Sequence, residues 1–104
     1  MKKEPMELLK QFASEFAENQ GAQKKMLFEN KNYSSIPNKY KYLIGIAAGA
    51  AMNSSTCTKK WTKMALENGI SNDEIVEAMM IARLLKQGGV NDTISETLSY
   101  LDEQ

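Results

Sequence analysis

Cys57 is the only cysteine in the chain, so any sulfur chemistry must run on one thiol. Deprotonated, such a thiol attacks peroxides and other electrophiles. Alone, it can close no internal disulfide. The run Asn53-Ser54-Ser55-Thr56 ahead of it breaks a helical pattern and offers several capping oxygens. That places Cys57 in the first turn of a helix, where unpaired backbone N–H groups favour the thiolate. Lys59 and Lys60 follow closely and act in the same direction. The competing reading is a buried, inert thiol that packs like a small apolar side chain. Tyr42, Met52, Trp61 and several of the seven methionines supply adaptable surface for an apolar pocket, or equally for a core or subunit interface. The chain contains no histidine, which removes imidazole metal sites, histidine general bases and Ser-His-Asp triads.

The elements that must position these residues read as helices throughout. Leu8, Leu9, Phe12 and Phe16 recur at helical spacing after Pro5, and Asn19-Gln20-Gly21 predicts the end of that first helix. A short second helix covers Gln23 to Asn30, and the Asn-, Ser- and Tyr-rich segment up to Asn38 reads as a loop. Asn38 is the expected cap of a third helix from Lys39 to Met52. Gly45 and Gly49 lie four apart in that helix among alanines. Each glycine costs about 1 kcal/mol against alanine, so the pattern implies close backbone approach on that face. A fourth helix runs from Ser55 to Asn68 and stops at Gly69. Ser71 and Glu74 form a capping box for a fifth helix, expected to end at Gly88-Gly89. Asn91-Asp92 then opens a last helix carrying Ile94, Leu98 and Leu101. No segment alternates with the two-residue period of a strand. The fold class is all-α, and residues 1–104 read as a single domain, without repeats or a long linker.

Composition sets outer bounds. Hydrophobic residues make up 42% and charged residues 25%, which is globular rather than disordered. Thirteen basic and thirteen acidic residues cancel, so no overall field draws the chain to nucleic acid or to an anionic membrane. The halves differ in sign: residues 1–52 carry eight Lys and five Glu, and residues 53–104 carry five basic and eight acidic side chains. Such an asymmetry can help subunits meet head to tail. The charged Met1-Lys2-Lys3-Glu4-Pro5 is not followed by an apolar stretch, so no signal peptide is expected. The longest apolar run, Leu43 to Met52, is half of what a membrane span needs. A cytoplasmic location is the expectation. No Gly-x-Gly-x-x-Gly or Walker-type loop is present, and no cofactor or metal is implied.

From Lys39 to Leu101 the sequence resembles the carboxymuconolactone decarboxylase family, which includes the alkylhydroperoxidase D-like proteins. Its redox members carry a glutamate, a small apolar helix and then Cys-x-x-Cys-x-x-x-His. Here Tyr42 stands at the glutamate position, twelve residues before Ser54 at the first cysteine position. Cys57 keeps the second cysteine, and Trp61 stands at the histidine. Trp61-Thr62-Lys63-Met64-Ala65 resembles the usual His-Thr-Lys-x-Ala. The stretch Ala65 to Ile75 resembles Ala-Leu-x-x-Gly-Ala-Thr-x-Glu-Glu-Ile, and Gly88-Gly89 the glycine-rich break before the final helix.

The resemblance implies an alkylhydroperoxidase D-like bundle of five to six helices, assembled as a homotrimer or homohexamer. It implies peroxidase-like thiol chemistry centred on Cys57, Ser54, Tyr42 and Trp61. Ser54 cannot resolve a sulfenic acid, and a tyrosine hydroxyl is a poor base near neutral pH. Trp61 has no basic nitrogen. A single-cysteine cycle with a small hydroperoxide and an external thiol reductant is what remains of that chemistry. The alternatives are a noncatalytic oligomeric binding or scaffold protein with a vestigial pocket, and a decarboxylase or lactone-acting enzyme. In the latter, Lys39, Lys41, Lys59, Lys60 or Arg83 would hold a carboxylic-acid ligand.

Overall fold

The computed structural model describes residues 2–104, and every regular element among them is helical. In chain order these are α1 (Pro5–Phe12), α2 (Ser14–Glu29), a 3-10 turn (Lys31–Tyr33), α3 (Asn38–Ala51), α4 (Ser55–Glu67) and α5 (Asn72–Asp102). The chain divides into two compact units, the first ending at Asn38 and the second running from Lys39 to Gln104. No helix among the described residues is long and apolar enough to cross a membrane.

In the first unit, Pro5 opens α1, where its fixed φ suits a helix start and its missing N–H costs nothing. The expected single helix to Asn19 is instead broken at Ala13, whose backbone leaves the helical region (φ −149°, ψ 66°). Ala13 still donates to the Leu9 carbonyl at 2.7 Å, which closes α1, while its own carbonyl accepts from Phe16 and Ala17 and starts α2. Gly21 does not end a helix; it lies inside α2 with open space around it. The good helix formers on both sides carry the helix through that position. Beyond α2, Asn30 caps the 3-10 turn by accepting from the Asn32 N–H at 2.9 Å. Asn38 is the first residue of α3 rather than its cap. Its side-chain amide donates back to the Phe28 carbonyl at 3.1 Å.

The second unit is held by two reversals of matching design. Asn53 takes the left-handed conformation (φ 61°) after α3. The Ser54 N–H returns to the Gly49 carbonyl at 2.9 Å and the Asn53 N–H to the Ala50 carbonyl at 3.1 Å. After α4, Gly69 (φ 78°) plays the same part, with Ile70 donating to Ala65 and Gly69 to Leu66, both at 3.1 Å. Each is a Schellman closure, which satisfies carbonyls left free at a helix end. The second also seats Ile70 beside Ala65 in the buried cluster of Ile46, Ala65, Ile70 and Ile75. Tyr42, Leu43, Trp61 and Met79 pack around that cluster. Ser71 then starts α5 with a complete capping box: its hydroxyl accepts from the Glu74 N–H, and the Glu74 carboxylate accepts from the Ser71 N–H.

The expected break at Gly88-Gly89 does not occur. Both glycines are helical, and α5 continues as one helix of 31 residues, about 46 Å long at 1.5 Å per residue. A glycine stops a helix by taking positive φ, and among the glycines Gly69 alone does so. Ala82-Arg83-Leu84-Leu85-Lys86-Gln87 ahead of the pair are good helix formers and carry the helix into it.

Candidate functional site at the α3–α4 corner

The corner between α3 and α4 brings together the four residues singled out from the sequence. Ser54 is the N-cap of α4, and its hydroxyl accepts from the Cys57 N–H at 3.1 Å. The Ser54 carbonyl accepts from both the backbone N–H and the hydroxyl of Thr58, at 3.0 and 2.7 Å. Cys57 is therefore in the first turn of α4, as the capping pattern requires. It is a free thiol and partly buried.

The two α3 glycines explain why α4 can lie so near. A methyl group placed on Gly45 would come within 2.9 Å of three carbons of the Trp61 indole. One placed on Gly49 would stand 3.1 Å from the Thr58 nitrogen and 3.3 Å from the Cys57 Cβ. Gly45 and Gly49 share one face of α3, and Trp61 and Cys57, also four apart, share the facing side of α4. Tyr42 extends the α3 face by one turn, and its ring meets the indole at a centroid distance of 6.3 Å and a tilt of 56°. The four residues thus form two contacts on one seam, a Ser54–Cys57 hydrogen bond and a Tyr42–Trp61 ring pair. Trp61 fills its place as a packing residue.

An open cavity of about 730 Å³ lies beside this corner. Of the four residues, Ser54 alone lines it, together with Ala50, Asn53, Ser55, Thr58, Lys59, Thr62 and Met79. Thr58 and Thr62 are site residues that the sequence motif does not single out. Their spacing of four on α4, with Lys59 between, was the available signal for a polar face distinct from the Cys57–Trp61 face. The Thr62 hydroxyl oxygen is buried without a hydrogen-bond partner among the described residues.

The cations named as candidate anion partners are differently placed. Lys39 is 2.6 Å from the Glu74 carboxylate. That hydrogen bond, with the opposite charge, raises the Lys39 ammonium above its usual value. Glu74 is lowered to about 2, first by the Lys39 hydrogen bond and then by the Ser71 backbone and hydroxyl. Lys39 is thus engaged in joining the starts of α3 and α5, while Lys59 is the cation on the cavity wall. No group of acidic or cysteine side chains among the described residues has the arrangement of a metal site.

Comparison with known proteins adds one match. The model of the carboxymuconolactone decarboxylase family matches residues 17–90, from within α2 to the middle of α5. The match begins well ahead of Lys39, where the sequence resemblance was strongest. No curated protein and no solved structure matches the chain.

Proposed function

This chain belongs to the carboxymuconolactone decarboxylase family, and we propose that it carries that family's thiol chemistry in a form reduced to one sulfur, acting as a single-cysteine hydroperoxide reductase. The match crosses the boundary at Asn38, which supports reading residues 1–104 as one family domain, with the chain assembled as a homo-oligomer. The observation that carries the proposal is the place of Cys57: a free, partly exposed thiol in the first turn of α4. A helix N-terminus stabilises negative charge there, and the Ser54 cap holds the turn in shape.

In this reading Ser54 occupies the position of the resolving thiol and has become a structural cap. Tyr42 and Trp61 occupy the positions of the proton-transfer pair and have become packing. The Cys57 thiolate attacks the terminal oxygen of a small hydroperoxide. An S–O bond forms, the O–O bond breaks, and the alkoxide takes a proton from water to leave as the alcohol. An external thiol then attacks the sulfenic sulfur and releases water. A second external thiol frees Cys57 and departs as the external disulfide. The test is turnover of an organic hydroperoxide with a small dithiol as reductant: activity in the native chain and none in Cys57→Ser supports the reading, and equal turnover in both removes it.

A second reading rests on the cavity. Its wall holds Ser54, Lys59 and Thr62 but not Cys57, which suits a small carboxylic acid bound without chemistry. A thermal-shift series with small carboxylic acids separates the two. A melting point that rises with ligand in Cys57→Ser and in the native chain alike favours binding alone.

A further inference from the structure

The fold treats two threonines of α4, four residues apart, differently. The Thr58 hydroxyl donates to the Ser54 carbonyl at 2.7 Å, the back-bond a helical threonine commonly makes. The Thr62 hydroxyl makes no such bond and is buried without a partner among the described residues. A buried hydroxyl left unpaired costs stability, so an acceptor brought to it is worth more than one in water.

The cavity wall places a latent acceptor beside that hydroxyl. Met79 of α5 lines the same cavity as Thr62. Its side chain also packs against the buried cluster that contains Ala65, three residues on from Thr62. A thioether sulfur is a weak acceptor, and the hydroxyl stays unpaired despite it. Oxidation converts the thioether to a polar sulfoxide, whose oxygen is a far better acceptor. Met79 is partly buried, and the open cavity gives a small oxidant a way to its sulfur. The three rotatable bonds of methionine and the free rotation of a hydroxyl allow the two groups to meet. Met52 and Met80 are more exposed, but neither lines this wall.

We propose that Met79 is a methionine-oxidation site reached through the cavity, and that the Thr62 hydroxyl donates to the sulfoxide oxygen formed there. The oxidant is a small hydroperoxide. The Met79 sulfur attacks its terminal oxygen, so that an S–O bond forms and the O–O bond breaks. The terminal oxygen's proton passes to the leaving alkoxide, which departs as the alcohol. Sulfur loses two electrons and the peroxide gains them. No step involves Cys57, and every measurement is made on the full Cys57→Ser chain.

The folded chain is treated with tert-butyl hydroperoxide and mapped by peptide mass. Met79 should gain one oxygen while circular dichroism stays helical; a Met79 that resists until the chain unfolds overturns the proposal. The pairing is read from melting points before and after oxidation. Thr62→Val should raise the melting point of the reduced chain, because it removes the unpaired hydroxyl. On oxidation, that variant should lose at least about 4 °C more than the chain with Thr62. Thr62→Ser keeps a hydroxyl and should follow the threonine. Adding Met79→Leu should abolish the difference, since the other methionines oxidise alike in all these chains. Equal losses with and without the hydroxyl, or a difference that survives Met79→Leu, overturn the proposal.

Discussion

Adding one methyl group to Gly45 tests the packing at the α3–α4 corner, because two opposing effects must be weighed. Alanine is better than glycine inside a helix by about 1 kcal/mol. Against that, the new Cβ would fall within 2.9 Å of three indole carbons of Trp61, closer than unstrained atoms approach. Relieving it requires the indole to move, and overpacking of this kind costs roughly 1–3 kcal/mol. Gly45→Ala should therefore be neutral to destabilising by about 2 kcal/mol, which alone proves little. The decisive quantity is the double-mutant coupling with Trp61→Ala. That single change should cost about 2–3 kcal/mol, less than the roughly 3–5 for a fully buried aromatic, because Trp61 is half-buried. With the indole gone the clash is gone, and Gly45→Ala should then stabilise by about 1 kcal/mol. Urea denaturation of the four proteins, followed at 222 nm, should show a coupling of about 1–3 kcal/mol. Additive effects, or the same sign for Gly45→Ala in both backgrounds, would refute the seating of Trp61 on α3.

Three further outcomes follow from the same structure. Gly89→Ala should raise stability by about 1 kcal/mol in chemical denaturation, because that glycine is helical with open space around it; a loss would mean that the chain turns there. Ser54→Ala should lower stability by about 1 kcal/mol, and Ser54→Asp should recover most of it, since either oxygen can accept from the Cys57 N–H. Glu74, lowered from 4.5 to about 2, contributes stability that is fully present above pH 4.5 and lost as pH falls toward 2. Glu74→Gln should therefore flatten the acid limb of the stability curve within that window, and an acid limb identical to the native one would contradict the Lys39–Glu74 pairing.

What the sequence made legible were features written in a few adjacent residues. The Ser71–Glu74 capping box, the Gly69 stop and the Cys57 first turn each depend on residue types within four positions, and all three stand in the structure. The close approach implied by Gly45 and Gly49 is also present, though nothing local could say that Trp61 and Cys57 are what approach. The misreadings share a cause. Gly21 and Gly88-Gly89 have the residue type of a stop, but a glycine permits a turn without compelling one, and all three are helical. The break at Ala13 has no breaker residue at all. The cavity wall at Thr58 and Thr62 lies one residue along α4 from Cys57 and Trp61, and no local pattern marks which of these neighbouring strips faces the cavity.

The proposed hydroperoxide reduction needs a reactive Cys57 thiol in the first turn of α4, and the rate of its oxidation tests this directly. The native chain is exposed to an organic hydroperoxide, with the intact mass followed over time. The expected result is a gain of one oxygen at Cys57 at least about tenfold faster than in an unstructured cysteine peptide. A rate equal to that of the peptide, or no reaction until the chain is unfolded, would contradict it.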